Sequence, residues 1–365
     1  MTSSAFRPRC VLVTGGAGFI GCNLVRLVLQ ADPDVHVVTY DLLTYAGRLD
    51  NLRDVEVRHG LSGDARHTFV HGDVRDFAAL SQTLAGNASH PPVDAVMHLA
   101  AESHVDRSIM GPEAFVETNV RGTLVLLEAC RAELEARNRT FRFLHVGTDE
   151  VYGSLGSDDP SFTETTPLAP NSPYSASKAA SDLLVRAWRE TYRFPALITR
   201  CSNNYGCYQL PEKLIPLMIT RALQDMPLPV YGDGMNVRDW LYVADHAQAL
   251  WTVLTRGTLG EVYNIGGDCE VTNLDVVHRV LSLLGKPDSL IRFVRDRLGH
   301  DRRYAMNSAH LQTSLGWKPA HSFQTGLEQT VQWYLENETW WRPSLADAYH
   351  AAQGYLAGES RTAVR

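Results

Sequence analysis

A glycine-rich run near the start of the chain constrains the fold more than any other feature. Gly15, Gly18 and Gly21 follow the apolar stretch 10–13 and precede a segment with apolar residues at helical spacing. A buried strand, a G-x-x-G-x-x-G turn and a helix together bring the backbone close to a pyrophosphate and offer it free N–H groups. The run therefore predicts the first β–α unit of a dinucleotide-binding fold.

The rest of the first half repeats this alternation of strand and helix. Short apolar or β-branched stretches predict strands at 10–13, 35–40, 68–70, 95–99, 143–146 and 196–199. Helical segments fill the gaps, the longest at 114–137 and 175–192. This alternation favours a parallel sheet covered by helices. We predict an α/β fold, a Rossmann-type doubly wound parallel sheet with a smaller, interleaved α/β substrate-binding lobe.

Turn-forming residues mark the second lobe. Prolines and the run 232–234 crowd the span after residue 200, and loops at that density usually cover a ligand. We predict a dinucleotide-binding domain at 1–203, with returning segments near 237–267 and 305–330. The substrate lobe is predicted at 204–236 and 268–304, together with the C-terminal part.

Charge and cysteine content exclude several classes of protein. The net charge is -7 and no block is rich in Lys or Arg, which argues against a nucleic-acid-binding surface because phosphate neutralisation needs clustered cations. The six cysteines show no C-x-x-C pairing. The start of the chain lacks the apolar core of a signal peptide. We expect free thiols in the cytoplasm, no membrane span and no metal site.

The acid that ends the second predicted strand selects the cofactor. Asp41 lies 20 residues after Gly21, where a carboxylate can accept both ribose hydroxyls and repel a 2′-phosphate. NAD is therefore predicted, although the nearby Arg48 leaves NADP open. The predicted cofactor-binding residues are Gly15, Gly18, Phe19, Ile20, Gly21, Asp41, Thr44, Asp73, Val74, Leu99, Ala100, Ala101, Tyr174 and Lys178.

Five residues are predicted to be catalytic. Tyr174 and Lys178 lie four positions apart on a predicted helix, so the ammonium is expected to lower the pKa of the phenol and make it a usable base. Thr148, Asp149 and Glu150 follow a strand at the carboxyl edge of the sheet, where such folds bind ligands. Two adjacent carboxyls there are costly unless they are used. The alternative for this acid pair is a helix cap and a salt-bridge partner.

Motifs typical of one enzyme family occur in the segments 15–21, 41–47, 98–108, 148–153, 174–178, 202–206, 212–216, 238–243 and 299–304. These motifs resemble those of the dTDP-glucose 4,6-dehydratases, in the extended short-chain dehydrogenase/reductase superfamily. It implies NAD-dependent 4,6-dehydration of a nucleoside-diphosphate glucose, with dTDP-glucose giving dTDP-4-keto-6-deoxyglucose. The sugar is oxidised at C4, loses water across C5 and C6, and regains hydride at C6.

The resemblance also implies a role for each site residue. Tyr174, with Thr148 and Lys178, takes the proton of the 4-hydroxyl. Glu150 removes the C5 proton, and Asp149 protonates the departing 6-hydroxyl, which requires burial and Glu150 to keep Asp149 neutral. The implied substrate-binding residues are Glu102, Ser103, Asn204, Lys213, Leu214, Pro229, Tyr231, Arg238, Asn273, Arg297 and His300.

The resemblance further implies a nucleotide-sugar-binding second lobe and a homodimer paired through helices at 105–137 and 173–193. Cys207 and Leu298 stand where the family usually has proline, so the nucleotide preference or the reaction rate could shift. The choice between thymidine and uridine as the base of the substrate stays open. The alternatives are a sugar-nucleotide 4-epimerase or UDP-glucuronate decarboxylase, neither of which needs the acid pair. A third alternative is an NAD/nucleotide-sugar-binding sensor, which has no use for a full catalytic set.

Overall fold

The computed structural model describes residues 5–137, 140–296 and 299–345. Its strands, in chain order, are β1 (Cys10–Thr14), β2 (His36–Asp41), β3 (His67–His71), β4 (Ala95–His98), β5 (Arg142–Thr148), β6 (Ala196–Cys201), β7 (Asn203–Tyr205), β8 (Leu228–Tyr231), β9 (Val237–Tyr242), β10 (Val262–Ile265), β11 (Glu270–Thr272) and β12 (Ile291–Val294).

The helices alternate with these strands in the first half of the chain and cluster after residue 300. They are α1 (Phe19–Ala31), α2 (Arg53–His59), α3 (Phe77–Ala85), α4 (Val105–Met110), α5 (Glu113–Phe115), α6 (Thr123–Arg137), α7 (Pro173–Tyr192), α8 (Leu214–Leu223), α9 (Val243–Arg256), α10 (Asn273–Leu284), α11 (Ala309–Leu315), α12 (Phe323–Glu336) and α13 (Glu338–Trp341). A π-helical segment, Val116–Gly122, joins α5 to α6. None of the helices within the described ranges is long and apolar enough to cross a bilayer.

Seven parallel strands form the main sheet, in the order β10-β6-β5-β4-β1-β2-β3. Alternate residues of β1 face opposite sides, as expected for a strand buried on both faces. Val11 and Val13 belong to the core under α1 and α9, whereas Cys10 and Leu12 belong to the core under α3, α6 and α7. The predicted doubly wound α/β fold is confirmed.

Two smaller sheets complete the molecule. β9 lies between β7 and β11, and β8 pairs with β12. Helices α8, α10 and α12 pack around these sheets and share an apolar core with α13. Within the segment predicted to return to the first lobe, β9 belongs to a small sheet, whereas α9 packs on α1 and β10 joins the main sheet. The domain boundaries themselves stay a prediction.

The register of the main sheet brings the carboxyl ends of its strands to one edge. Thr14 lies opposite His98 and Tyr40, and Thr148 lies opposite Cys201. Loops that leave neighbouring parallel strands at one edge form a crevice. The glycine run follows β1 and the Thr-Asp-Glu triplet follows β5, so both open into it.

Candidate active site

The glycine run forms a close-packed cradle at the carboxyl end of β1. Gly15 has φ +70°, and a Cβ there would lie 2.7 Å from the Ala100 nitrogen. A Cβ on Gly21 would lie 2.2 Å from the Gly15 carbonyl oxygen. Gly18, at the N-cap of α1, supplies no side-chain hydrogen bond. The backbone of this loop is therefore bare where α1 begins, which fits a pyrophosphate at the helix N-terminus.

Asp41 is held rigidly beside this cradle. Its Oδ2 accepts from the Ala17 nitrogen at 3.0 Å and its Oδ1 from the Leu43 nitrogen at 2.8 Å. Each carboxylate oxygen keeps a further lone pair for a ribose hydroxyl. Arg48 points elsewhere, because its Nη1 donates to the Trp340 carbonyl oxygen at 3.1 Å. A 2′-phosphate therefore gains nothing from Arg48 here, and the site favours NAD.

One cleft runs along the carboxyl edge of the main sheet. Every predicted cofactor-binding residue and all five predicted catalytic residues line it, and so do four of the predicted substrate-binding residues. Those four are Glu102, Ser103, Asn204 and Lys213. The sheet edge thus brings together segments spread over some 200 residues of sequence.

The Thr-Asp-Glu triplet forms a tight turn directly after β5. The Thr148 hydroxyl donates to Asp149 Oδ1 at 3.2 Å and accepts from the Glu150 nitrogen at 3.3 Å. The Ser175 hydroxyl reaches Glu150 Oε2 at 3.4 Å from the first turn of α7. Ser172 caps α7, as its side chain accepts from the Ser175 nitrogen. The cap therefore fixes the helix that carries Tyr174 and Lys178 against the acid pair.

The carboxyl group of Asp149 lies in surroundings that favour its protonated form. It is 2% exposed, and its Oδ2 has no hydrogen-bond partner among the described residues. Burial first, and then the charges of Glu150 and Asp239, raise the pKa of Asp149 well above 3.8, against a smaller opposing effect of Arg238. The predicted direction is confirmed. A buried acid that keeps its proton at neutral pH can act as a general acid.

The Tyr174 phenol does not titrate as predicted. We expected Lys178 to lower its pKa, but burial and the Glu150 charge raise the pKa of Tyr174 well above 10.0. Lys178 Nζ instead donates to the Val146 carbonyl oxygen at 2.9 Å, and burial lowers its own pKa. The expectation was wrong because it counted one neighbouring cation and neither burial nor the nearby carboxylate. Tyr174 therefore holds its proton at neutral pH in this structure.

We expect Asp149→Asn to change how stability depends on pH. The pKa of Asp149 is higher in the folded chain than 3.8, so the folded chain keeps a proton that the unfolded chain loses. The stabilising contribution of the protonated Asp149 is complete below pH 3.8 and is lost as the pH rises through the pKa of Asp149 in the folded chain. The variant's free energy of unfolding, relative to the parent, should therefore rise between about pH 4 and pH 7. Denaturant unfolding at several pH values measures this difference; a difference that stays constant with pH would contradict it.

Six predicted substrate-binding residues do not line the cleft: Leu214, Pro229, Tyr231, Arg238, Asn273 and His300. They nevertheless lie in the small-sheet region. Tyr231 meets His300 edge-on with ring centroids 6.2 Å apart. Arg238 donates to the Asp301 carbonyl oxygen at 2.9 Å, close enough to the acid pair for their charges to affect its pKa. Arg297 and Leu298 lie outside the described residues.

Several residues line the cleft that were not among the predicted site residues. They are Tyr40, Leu42, Ala46, Gly47, Gly72, Thr118, Val146, Gly147, Cys201, Ser202, Asn203, Gln209, Leu210 and Glu212. Cys201 ends β6 opposite Thr148, so the rule that strand ends bind ligands could have found it. Glu212 was hidden because its neighbours are distant in sequence: Arg107 Nη2 lies 3.5 Å from its carboxylate. Burial raises the pKa of Glu212.

Asp73 was predicted to meet the adenine edge, and it does line the cleft. Its carboxylate is engaged, however, by the Arg75 side chain, with Nη2 to Oδ2 at 2.6 Å. This pairing lowers the pKa of Asp73 and keeps it charged. The neighbouring Tyr40 hydroxyl donates to the Asp73 carbonyl oxygen at 3.0 Å. The loop after β3 is therefore ordered at the cleft wall.

Comparisons with known proteins agree with this geometry. The family model for GDP-mannose 4,6 dehydratase matches residues 12–330. The chain is 54% identical to a dTDP-glucose 4,6-dehydratase of Xanthomonas campestris, over 93% of this chain and 96% of that protein. It is 52% identical to the dTDP-glucose 4,6-dehydratase of Neisseria meningitidis, over 93% and 97%.

Solved structures of a dehydratase and of an epimerase both superpose on this chain. The dTDP-glucose 4,6-dehydratase DesIV of Streptomyces venezuelae, solved with NAD bound, superposes with a TM-score of 0.85 at 49% identity, covering 92% of this chain and 99% of that one. The UDP-glucose 4-epimerase of Thermus thermophilus superposes with a TM-score of 0.79 at 30% identity, covering 90% and 99%. The fold is common to both enzymes, and the sequence identity is higher to the dehydratase.

Proposed function

This chain belongs to the dTDP-glucose 4,6-dehydratase family, and we propose that its cleft converts dTDP-glucose to dTDP-4-keto-6-deoxyglucose with one resident NAD. The observation that carries the proposal is the buried Asp149, whose pKa is raised, next to Glu150 and in the same cleft as Tyr174 and Lys178. A 4-epimerase or a decarboxylase has no step that uses a protonated acid at this place. Loss of a hydroxyl group does, because the leaving oxygen needs a proton.

The side chains divide the work in the order in which the sugar reacts. A bound NAD would supply the hydride acceptor for C4, the hydride donor for C6 and a positively charged ring. Tyr174 can accept the proton of the 4-hydroxyl only as the phenolate, so its own proton must first pass to solvent. The positive charges of Lys178 and of the cofactor ring favour that ionisation, and Thr148 shares the hydrogen bond to the 4-hydroxyl. The C4 ketone acidifies the C5 proton, which Glu150 removes. Asp149 gives its proton to the 6-hydroxyl as water departs.

The positions of the two acids support this division of roles. Asp149 is buried and its pKa is raised, whereas Glu150 is partly exposed and hydrogen-bonded by Ser175. A partly solvated carboxylate is easier to keep charged than an enclosed one. The pair therefore supplies one base and one acid at neighbouring atoms of the sugar, C5 and C6.

Turnover of dTDP-glucose in D2O tests the proposal directly. We expect dTDP-4-keto-6-deoxyglucose with solvent deuterium at C5, detected by NMR. A 4-epimerised sugar would support an epimerase, loss of carbon dioxide from UDP-glucuronate would support a decarboxylase, and NAD uptake without turnover would support a sensor. A panel of glucose nucleotides then decides between thymidine and another base.

Gly21→Ala should abolish stable retention of NAD. Its new Cβ would meet the Gly15 carbonyl oxygen, a backbone atom of the cradle itself, at 2.2 Å, so the loop must move. We expect binding to weaken by about tenfold or more, measured as NAD content after gel filtration and as a Kd by calorimetry. Gly111→Ala is the matched control, because its nearest neighbour lies 4.0 Å from the new Cβ. Equal NAD retention in the two variants would contradict the prediction.

The proposed assembly is a homodimer formed by α4, the π-helical segment, α6 and α7. Large apolar side chains are exposed on these elements in the single chain, namely Ile109, Met110, Val116 and Leu183. Pairing with a second copy would bury them. We also place the protein in the cytoplasm, where its six free thiols would stay reduced.

Leu183→Glu should convert this dimer to monomer. Leu183 is 54% exposed on α7, and a carboxylate buried at a two-fold interface appears twice and stays unpaired. Light scattering after gel filtration should show a monomer at concentrations where the parent is a dimer, a loss of about tenfold or more in affinity. Leu335→Glu, 47% exposed on α12, is the control and should leave the mass unchanged. A dimeric Leu183→Glu variant would place the interface elsewhere.

A further inference from the structure

We propose that Trp340 and Ser344, near the C-terminal end of the described chain, clamp the NAD-binding glycine loop through Asn51 and Arg48, and that Trp340 and Asn51 are positioning residues that slow NAD release. The proposal rests on the NAD site of the proposed function and adds to it a device for holding the cofactor. Trp340 is 289 positions away from Asn51 in sequence, but the two side chains share a buried hydrogen bond.

The first link joins the C-terminal segment to the loop after β2. Trp340 Nε1 donates to Asn51 Oδ1 at 2.8 Å. Asn51 is 1% exposed and Trp340 is 9% exposed, so water does not compete strongly for this bond. The Asn51 amide is thereby fixed in one orientation, with its Nδ2 hydrogens turned toward the glycine loop.

The second link joins Asn51 to the cradle itself. Asn51 Nδ2 donates to the Ala17 carbonyl oxygen at 2.8 Å, and the Arg48 nitrogen donates to the same oxygen at 3.1 Å. On its other side, the Ala17 nitrogen donates to Asp41 Oδ2 at 3.0 Å. Both backbone polar groups of Ala17, in the middle of the glycine run, are therefore hydrogen-bonded. The group that accepts from its N–H is Asp41, the acid assigned to the ribose.

A third link runs in parallel through Arg48. Its Nη1 donates to the Trp340 carbonyl oxygen at 3.1 Å and to the Ser344 hydroxyl at 2.5 Å. Its guanidinium lies 5.3 Å from the Trp340 ring centroid, within the range of a cation–π contact. Arg48 therefore ties the loop to the same segment through a contact that does not use the indole nitrogen.

The anchor of the clamp is the core of the smaller lobe. The Trp340 ring packs against Trp333 and Tyr208, with centroids 5.0 and 5.7 Å away. A glycine loop has few side chains with which to hold its own shape, so rigidity must come from outside it. The proposed reaction needs such rigidity, because the cofactor that takes hydride from C4 of the sugar must still be bound when C6 of the sugar is reduced.

The test compares two tryptophans of α13 that differ in what their indole nitrogen contacts. Trp340→Phe removes the bond to Asn51, whereas Trp341→Phe removes a bond of 2.7 Å to the Tyr334 carbonyl oxygen of α12, within the core of the smaller lobe. Release of radiolabelled NAD into excess unlabelled NAD gives the dissociation rate. We expect Trp340→Phe to release NAD about five- to tenfold faster than Trp341→Phe, with similar thermal unfolding midpoints.

A second variant keeps the test decisive if Trp340→Phe does not fold. Arg48→Met keeps the length of the side chain and removes its bonds to Trp340 and Ser344, and it should also release NAD faster than Trp341→Phe. Equal release rates in the foldable variants and the control would overturn the clamp while leaving the proposed function intact. A parent protein that holds no NAD would overturn the proposed function instead.

Discussion

Asp149→Asn should stop water loss while the chain still oxidises C4 and still exchanges the C5 hydrogen with solvent. Asparagine is close in shape to the neutral acid and can donate a hydrogen bond, but it cannot transfer a proton to the 6-hydroxyl. Because the parent carboxyl is buried and its pKa is raised, the substitution replaces the protonated acid by a neutral amide that cannot give up a proton. We expect formation of the 4-keto-6-deoxy product to fall by about 10²–10⁴-fold, measured by NMR of the nucleotide sugar.

Glu150→Gln is the companion variant that separates the two acids. If Glu150 is the base at C5, deuterium should no longer enter the C5 position of unreacted substrate. The same exchange should persist in Asp149→Asn, since the ketone still forms and the base is intact. The reverse pattern would exchange the two roles. Undiminished water loss in either variant would contradict the use of this acid pair altogether.

Local patterns predicted which residues line the cleft on the side of the glycine run. Gly15, Asp41 and Thr148 each lie at or just beyond the carboxyl end of a strand of the main sheet, and parallel pairing brings those ends together without help from distant segments. For such residues the position along a strand decides the position in the cleft. All of the predicted cofactor contacts accordingly line it.

The substrate half was harder to predict, because its residues come from loops whose packing depends on distant partners. Glu212 reaches the cleft beside Arg107, and Arg238 is held by the Asp301 carbonyl oxygen. Neither pairing follows from spacing along the chain. Cys207, one of the two replaced prolines, has its carbonyl oxygen 3.0 Å from Asn23 Nδ2 on α1. This position therefore contacts the cofactor-side helix as well as its own loop.

The pKa of Tyr174 could not be predicted for a related reason. A helix projection shows that Lys178 is near, but it does not show that the ammonium is bonded to the Val146 carbonyl oxygen or that Glu150 faces the phenol. Charge balance at a buried site depends on every neighbour in three dimensions. In this site the nearby carboxylate and burial outweigh the one cation that the sequence revealed.

Tyr174→Phe should abolish every stage of the reaction, including those that Asp149→Asn leaves intact. Without the phenol oxygen the proposed acceptor of the 4-hydroxyl proton is gone, so the ketone should not form and the C5 proton should not be acidified. We expect product formation to fall by about 10³-fold or more. Deuterium exchange at C5 should vanish with it, which the same NMR experiment in D2O measures.

Tyr192→Phe provides the control, since Tyr192 ends the same helix, is 48% exposed and does not line the cleft. It should retain both exchange and turnover, and both variants should keep NAD. Tyr174→Phe and Asp149→Asn together establish the order of events. Loss of a residue needed for the first step should abolish exchange at C5, whereas loss of a residue needed only for water loss should leave that exchange intact. C5 exchange that survives in Tyr174→Phe would show that the ketone forms without this phenol, and the proton acceptor would then have to be sought among the other groups of the cleft.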